Sequence, residues 1–278
     1  MRGSPMRRVL IVPPPAAALA VLAALALLAG CGGDRESAAG RDTLVIGVNA
    51  DGPGLGLRTG NRFEGFDVDV AREIARRLGA RDVRFRALRS ADREKFLERG
   101  TVDLVVATYS ITAERKTRVT FAGPYYVAHQ DTLVRRGEGR IRDVRDLAGR
   151  RLCRVDGSNS WRRVIQQRGV PAEPVPAGNY AECVRMLKAG LVDAVSTDDL
   201  ILAGLVRGDS SARVVNAPFS DERYGVGLRK GDVAGCEAVN KAITGMYQDG
   251  TAAGLLRRWF GPSGLRLTTT VPEFEGCD

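Results

Sequence analysis

The residues best suited to chemistry in this chain lie between Ala107 and Tyr126, in the sequence ATYSITAERKTRVTFAGPYY. An apolar stretch, 102–107, leads through the hydroxyls of Thr108 and Ser110 to Arg115. A guanidinium offers a planar fork of donors that matches a carboxylate, and neighbouring hydroxyls and free backbone N–H groups add further bonds. The segment therefore predicts a site that grips the carboxylate of a small molecule.

His129 is the single histidine among the 278 residues, which excludes many of the catalytic sites that depend on histidine. A Ser/His/Asp or Cys/His arrangement would have to use it, and no nucleophile elbow stands nearby. The sequence also has no P-loop and no dinucleotide fingerprint. The net charge of +9 is spread over basic residues scattered among acidic ones, which favours a solvated surface over nucleic-acid binding. We expect no catalytic residue, no metal and no cofactor.

The N-terminus predicts export and attachment to a membrane. Three arginines among the first eight residues precede an apolar run, 16–28, and the tetrapeptide LAGC ends it at residues 28–31. This tetrapeptide resembles a bacterial lipobox, which implies removal of residues 1–30 and a diacylglycerol on Cys31. The mature protein would then be held at the outer face of the cytoplasmic membrane, with residues 31–42 as a flexible tether. An ordinary signal peptide with an incidental cysteine is the alternative.

Four further cysteines are an even number for an oxidising compartment, where paired thiols persist. Four cysteines allow three pairings. Neighbours in the sequence would each join a locally folded region, so we predict that Cys153 pairs with Cys183 and Cys236 with Cys277. Buried free thiols are the alternative.

Apolar strands alternate with amphipathic helices along the rest of the chain, which is typical of an α/β fold with open sheets. The predicted strands are residues 43–48, 83–88, 102–107, 151–155, 173–176 and 194–196, and the predicted helices are 68–78, 93–99, 160–167, 180–189, 199–207, 230–249 and 252–260. Two extended segments, 128–136 and 219–228, interrupt this pattern and could carry the chain between two lobes. We predict lobe 1 from residues 43–129 plus 222–278, lobe 2 from 130–221, and a ligand cleft between them.

Five segments of the chain follow one another in a recognisable order. They are GFDVDVAREIARRLG (65–79), VDLVVATYSITAERKTRVTFAGPYY (102–126), VDGSNS (155–160), VDAVSTDD (192–199) and DGTAAGLLRRWFG (249–261). Together they resemble the family 3 solute-binding proteins of polar-amino-acid ABC importers, and most of all the glutamate-binding lipoproteins of actinobacteria. The resemblance implies a type II periplasmic-binding fold and a monomer. It also implies that lobe closure captures an amino acid for the permease subunits of an importer.

The resemblance gives roles to residues of both lobes. Arg115 would bind the α-carboxylate with help from Ser110, while the Thr108 carbonyl and Asp198 would receive the α-ammonium group. A solvent-facing arginine is the alternative for Arg115, and an N-cap is the alternative for Asp198. Three residues, Gly157, Ser158 and Asn159, form a strand-to-helix turn whose N–H groups favour an anion; the alternative is that serines of this turn cap the helix. The other predicted ligand contacts are Asn49, Asp51, Ser90, Arg93, Tyr109 and Thr197.

Selectivity for the ligand's side chain would depend on other residues. Family members that bind acidic amino acids tend to place a cation near the end of the first strand, where this chain has Asn49. The resemblance implies glutamate as the ligand, whereas the Asn49 amide, which can serve a carboxylate or a carboxamide, favours glutamine or asparagine, and aspartate is a further alternative. Arg93, Arg58 or Arg154 could supply the missing charge. An exported dehydratase-like enzyme and a sensor subunit are further alternatives on the same fold, the enzyme needing a general acid or base in the cleft.

Overall fold

The computed structural model describes residues 36–277, within which a compact unit begins at Ser37. The predicted signal peptide (1–30), the predicted lipidation site Cys31, tether residues 32–35 and Asp278 lie outside the described residues. Across residues 36–277, no helix combines the length and the apolarity that a membrane crossing requires.

The alternation of strands and helices is confirmed. The strands are β1 (Thr43–Asn49), β2 (Asp51–Gly52), β3 (Gly56–Thr59), β4 (Arg62–Glu64), β5 (Asp82–Leu88), β6 (Leu104–Val105), β7 (Val119–Arg135), β8 (Arg151–Val155), β9 (Glu173–Ala177), β10 (Val195–Asp198), β11 (Ala212–Val214) and β12 (Ser220–Arg229). The helices are α1 (Phe66–Arg77), α2 (Arg93–Glu98), α3 (Ala113–Lys116), α4 (Ser160–Arg162), α5 (Tyr180–Lys188), α6 (Asp199–Leu205), α7 (Val233–Gln248) and α8 (Thr251–Phe260). A π-helical turn, Arg163–Gln167, continues α4. The sequence did not predict β2, β3, β4 or β11.

One seven-stranded sheet runs through both lobes in the order β10-β7-β12-β6-β1-β5, and β11 also pairs with β7. β1 pairs in parallel with β5 and β6, as expected for strands joined through helices. β7 has 17 residues, which at about 3.3 Å per residue is long enough to belong to both lobes. β12 lies antiparallel to it, with Ser220 opposite Gln130. The two predicted crossings are therefore paired strands of a shared sheet.

The two predicted lobes contribute to separate apolar clusters. Ile46, Phe66 and Leu104, in the predicted lobe 1, belong to one cluster of buried side chains, whereas Leu133 and Leu187, in the predicted lobe 2, belong to another. The parallel strands β8 and β9 lie in the predicted lobe 2. A β-bridge joins Leu152 of β8 to Ala194, the residue just before β10. Two cores on either side of paired crossing strands are the arrangement that a hinge requires.

Both predicted disulfides are confirmed, since Cys153 is bonded to Cys183 and Cys236 to Cys277. The first bridge joins β8 to α5 within lobe 2. The second joins α7 to the C-terminal segment, which returns over lobe 1, where the Glu275 N–H donates to the Gly123 carbonyl at 2.9 Å.

The folded unit begins earlier than the predicted tether allows. The Ala38 N–H donates to Asp232 Oδ2 at 2.9 Å, and Ala38 is buried. Arg41 forms an ion pair with Asp103 at 2.6 Å. Residues 37–42 therefore lie on lobe 1, because their polar groups find fixed partners there.

Candidate functional site

Two chambers that share part of their lining lie between the predicted lobes. The inner chamber is lined by Arg93, Arg115, Asn159 and Asp198, among others. Asn49 and Asp51 are among the residues that line the outer chamber. Four side chains line both chambers: Ser90, Thr108, Tyr180 and Ile201.

Arg115 enters the inner chamber from a single helical turn, α3. Thr112 caps that turn, because its Oγ1 accepts a hydrogen bond from the Arg115 N–H at 3.2 Å. The guanidinium donates to the Ser110 carbonyl at 2.7 Å and to the Gly157 carbonyl of lobe 2 at 2.8 Å. Its Nε lies 3.4 Å from Glu94 Oε1. Arg115 is therefore buried and held at both faces of the cleft, rather than facing solvent.

Arg93 adds a second buried guanidinium at this point. It donates to the Ser90 carbonyl and, across the cleft, to the Gly157 carbonyl, both at 3.0 Å. The Tyr109 ring lies beneath both cations, with its centroid 4.5 Å from the Arg93 Cζ and 5.0 Å from the Arg115 Cζ. Burial, and then repulsion by Arg93, lower the pKa of Arg115 to about 10. Arg115 remains charged at neutral pH, so the inner chamber attracts an anion.

Thr108 has an unusual backbone, with a φ of +43°. A β-branched residue rarely adopts this left-handed conformation, which persists only where the surroundings enforce it. Its N–H donates to Asp67 Oδ2 at 2.8 Å, and the Tyr125 hydroxyl donates to Asp67 Oδ1 at 2.8 Å. Its Oγ1 accepts from Asn49 Nδ2 at 3.3 Å. Burial raises the pKa of Asp67 to about 7. Asp67 thus positions a residue that lines both chambers.

Asp198 lines the inner chamber from the end of β10. Its backbone caps α6, but its carboxylate makes no capping bond. Instead, Asp198 Oδ2 accepts from the Tyr224 hydroxyl at 2.7 Å. Burial, and then repulsion by Glu222, raise the pKa of Asp198 well above its ordinary value. A cationic group entering the inner chamber would stabilise the ionised form of this carboxylate.

The turn before α4 supplies neutral donors to the inner chamber. Ser158 Oγ lies 2.6 Å from the Tyr180 hydroxyl, and Ser160 Oγ lies 3.0 Å from it. Ser160 Oγ also donates to Thr197 Oγ1 at 3.2 Å. Asn159 differs from these hydroxyls, because its Nδ2 is buried with no hydrogen-bond partner in the described part of the chain. An unused buried donor is costly, so Asn159 is suited to bind an acceptor that enters the chamber.

The outer chamber combines apolar walls with amide and carboxyl groups. Its apolar lining includes Pro53, Leu55, Ile201 and Leu205, and its polar lining includes Asn49, Asp51 and Asn179. Burial raises the pKa of Asp51, while hydrogen bonds from its own backbone and from Asn179 oppose the rise. Arg89 is the one basic residue among the described lining, but its side chain is 76% exposed and pairs with Asp92 at 3.0 Å. The chamber therefore suits an apolar stem with a polar end.

The structure brings together most of the predicted site residues. Asn49 and Asp51 line the outer chamber, Ser90 and Thr108 line both, and the inner chamber takes Arg93, Ser110, Arg115, Ser158, Asn159 and Asp198. Three predicted residues line neither chamber: Tyr109 and Thr197 are fully buried, and Gly157 contributes its carbonyl to the two arginines. Arg58 and Arg154 also lie outside both linings.

Sequence reasoning missed Tyr180, Asn179, Ile201 and Glu94. Asn179 reads in the sequence as an N-cap, and it does accept the Glu182 N–H at 2.8 Å. The others look like ordinary helix residues. The residue types carried no signal, because their place in the site depends on how the lobes meet.

Comparison with known proteins gives consistent results. Residues 44–262 match the model of the bacterial extracellular solute-binding proteins, family 3. The glutamate-binding protein GluB of Corynebacterium glutamicum is 38% identical over 91% of this chain and 93% of its own. The ABC transporter glutamine-binding protein GlnH of Bacillus subtilis is 33% identical over 87% and 95%. The structure of an ancestral arginine-binding protein bound to glutamine superposes with a TM-score of 0.73 at 35% identity, covering 80% of this chain and 99% of that one.

Proposed function

As the chain belongs to family 3 of the bacterial extracellular solute-binding proteins, we propose that it is a receptor that captures a polar amino acid by lobe closure. It would deliver this amino acid to the permease subunits of an ABC importer. The relatives compared above are named as binding proteins, and one of them belongs to an ABC transporter.

The presence of Arg115 and Asp198 around one inner chamber is the observation that carries this proposal. Arg115 belongs to lobe 1 and Asp198 to lobe 2, and both line this chamber. An amino acid has a carboxylate and an ammonium group on one carbon, and burial of both is costly unless each is paired. Arg115 with Asn159 suits the carboxylate, and Asp198 suits the ammonium. Only the closed lobes offer both partners, so the ligand would shift the population towards closure.

Glutamate is the first candidate for the ligand, because GluB, with 38% identity, is named for it. Glutamine is the second candidate, and a specific observation favours it. The outer chamber places the Asp51 carboxyl beside the Asn49 and Asn179 amides, whereas its one basic residue, Arg89, is exposed and already paired. A carboxamide can donate to Asp51 and accept from an amide, whereas a side-chain carboxylate would meet like charge.

A screen of the purified protein against the twenty amino acids tests the proposal. Thermal unfolding should shift upward with the true ligand, since a ligand at about a thousand times its Kd adds about 4 kcal/mol of stability. Calorimetry with glutamate and glutamine then decides between the two candidates. If no amino acid bound, the receptor proposal would be wrong. Turnover of a carboxylated ring by the purified protein would instead support the dehydratase-like alternative.

The lipid anchor is a separate part of the proposal, carried by the LAGC tetrapeptide at residues 28–31. A Cys31→Ser variant expressed in a bacterial host should lose its acyl groups by mass spectrometry and leave the membrane fraction. Retention of the variant at the membrane would contradict lipidation at Cys31. For the importer, removal of the protein should lower cellular uptake of the labelled ligand.

A further inference from the structure

Two glycines bring the backbone of lobe 2 against the backbone of lobe 1. A methyl group built on Gly157 would lie 2.4 Å from the Ala91 nitrogen, and one built on Gly204 would lie 2.0 Å from the Pro53 carbonyl oxygen. Real Cβ atoms essentially never come within 3.0 Å of a non-bonded heavy atom of another part of the chain. Neither position can carry a side chain while the lobes keep this arrangement.

The first contact borders the inner chamber. Gly157 has a φ of +73°, and its carbonyl accepts hydrogen bonds from both Arg93 and Arg115, which belong to lobe 1. Its Cα faces the Ser90–Ala91 backbone, and Ser90 itself lines both chambers. This close approach of the two lobes therefore lies beside the residues proposed to hold the carboxylate.

The second contact borders the outer chamber. Gly204 lies in α6 between Ile201 and Leu205, both of which line that chamber together with Pro53. The helix begins at the crossing strands, where Leu200 packs in the lobe 1 cluster, and Leu202 then packs in the lobe 2 cluster. The side chains on either side of Gly204 are divided between the two clusters, with Ala203 packed against the first and Leu205 against the second, and the Pro53 backbone that Gly204 meets belongs to lobe 1.

We propose that Gly157 and Gly204 determine the affinity of this receptor, because their missing side chains allow the lobes to close until Arg115 and Asp198 both reach the ligand. This inference rests on the proposed function. To restore the 3.0 Å limit, a methyl group would have to move the contacting backbones apart by 0.6 Å at Gly157 (3.0 minus 2.4) and by 1.0 Å at Gly204 (3.0 minus 2.0). Displacements of this size take charged hydrogen bonds out of their favourable range.

Matched glycines elsewhere in the chain provide the controls. Gly169 has a φ of +66° and Gly254 lies in α8, and a methyl group on either would meet no atom within 4 Å. Gly169→Ala therefore reproduces the backbone strain of Gly157→Ala, and Gly254→Ala reproduces the gain in helix propensity of Gly204→Ala. Each test variant differs from its control only in the contact between the lobes.

Calorimetry with L-glutamate and L-glutamine, combined with small-angle scattering with and without each amino acid, tests the inference. Gly157→Ala and Gly204→Ala should each bind at least tenfold more weakly than their controls and should keep a larger radius of gyration at saturating ligand. Equal affinity in variants and controls would overturn the inference while leaving the receptor function intact. If the wild type bound neither probe nor any other amino acid, the proposed function would fail. Small-angle scattering of the ligand-free variants and controls would then test the two glycine contacts, and equal radii of gyration would contradict them.

Discussion

Replacement of Arg115 is the most direct test of the carboxylate site. The guanidinium makes hydrogen bonds of 2.7 Å and 2.8 Å to Ser110 and Gly157 and lies 3.4 Å from Glu94. Truncation of one partner in a buried charge pair costs about 2–5 kcal/mol. At about 1.4 kcal/mol per tenfold, Arg115→Ala should weaken binding by about thirtyfold to a few thousandfold. Arg115→Lys keeps the charge but loses the fork, and the loss of one charged hydrogen bond should cost about tenfold to a hundredfold.

Titration calorimetry measures these losses, and thermal unfolding checks that each variant is folded. Arg118→Ala is the matched control, because Arg118 lies just beyond α3 and forms an exposed ion pair with Glu98. Exposed pairs contribute little, so this variant should bind as the wild type does. A folded Arg115→Ala variant with wild-type affinity would refute the assignment.

A second variant separates lost attraction from new repulsion. Without Arg115, the Glu94 carboxylate, whose side chain is 13% exposed, would stand near the proposed position of the ligand's own carboxylate. Adding Glu94→Gln to the Arg115→Ala variant removes this repulsion. If the double variant recovered full affinity, Arg115 would act only by neutralising Glu94 and not by holding the ligand. We expect only partial recovery, because the fork is still missing.

Three further predictions concern protons and the covalent frame. Affinity for the ligand should rise with pH, because burial holds the pKa of Asp198 high in the free protein and the ligand's ammonium group lowers it, so that binding releases a proton. Calorimetry at several pH values measures this rise, and the affinity of Asp198→Asn should not change with pH. Stability to urea should fall as pH rises from about 4 to about 7, because Asp67, with a pKa of about 7 against its ordinary 3.8, keeps a proton in the folded state that the unfolded state has released. Asp67→Asn should make stability less dependent on pH over this range, and an unchanged dependence would show that other groups cause it. The Cys236–Cys277 bridge joins residues 41 apart, so loop entropy predicts that its replacement by two serines costs about 4 kcal/mol, whereas an unchanged denaturation midpoint would show that the tail packs without it.

The helix α1 shows how far local pattern reaches. Its N-terminal acidic residues and C-terminal arginines suit the helix dipole, and Val70, Ala71 and Ile74 recur on one buried face. The predicted bounds, 68–78, fall within two residues of the observed Phe66–Arg77. Here the sequence suffices, because every determinant lies within the element.

The predicted strand 102–107 shows where local pattern stops. The Val106 N–H still donates to the Gly47 carbonyl at 3.0 Å, so the apolar run lies alongside β1 as far as Val106. Only Leu104 and Val105 form a regular strand, because the chain then turns into the strained backbone of Thr108. A buried carboxylate, Asp67, far away in sequence enforces that turn. Its hydrogen bond to the Thr108 N–H could not be inferred from spacing.

The site residues divide in the same way. Arg115 is predicted from the strand, hydroxyls and guanidinium of its own segment, and Asp198 from the family resemblance, and both line the inner chamber. The role of the two glycines could not be predicted, because a glycine in a sequence indicates freedom of the backbone, whereas Gly157 and Gly204 matter for the neighbours they admit. Close approach depends on the relative position of two lobes, which no local pattern encodes.

Affinity and selectivity therefore have different physical sources in this cleft. Arg93 and Arg115 donate to the Gly157 carbonyl, so part of the free energy of closure comes from contacts within the protein. In the proposed closed form, the ligand's carboxylate would bring a full charge to these two cations, and Asp198 would meet the ammonium group. The carboxylate and the ammonium group are common to all amino acids. Discrimination between amino acids must then arise in the outer chamber, where the acidic group is the Asp51 carboxyl and the one basic lining residue, Arg89, is exposed and paired.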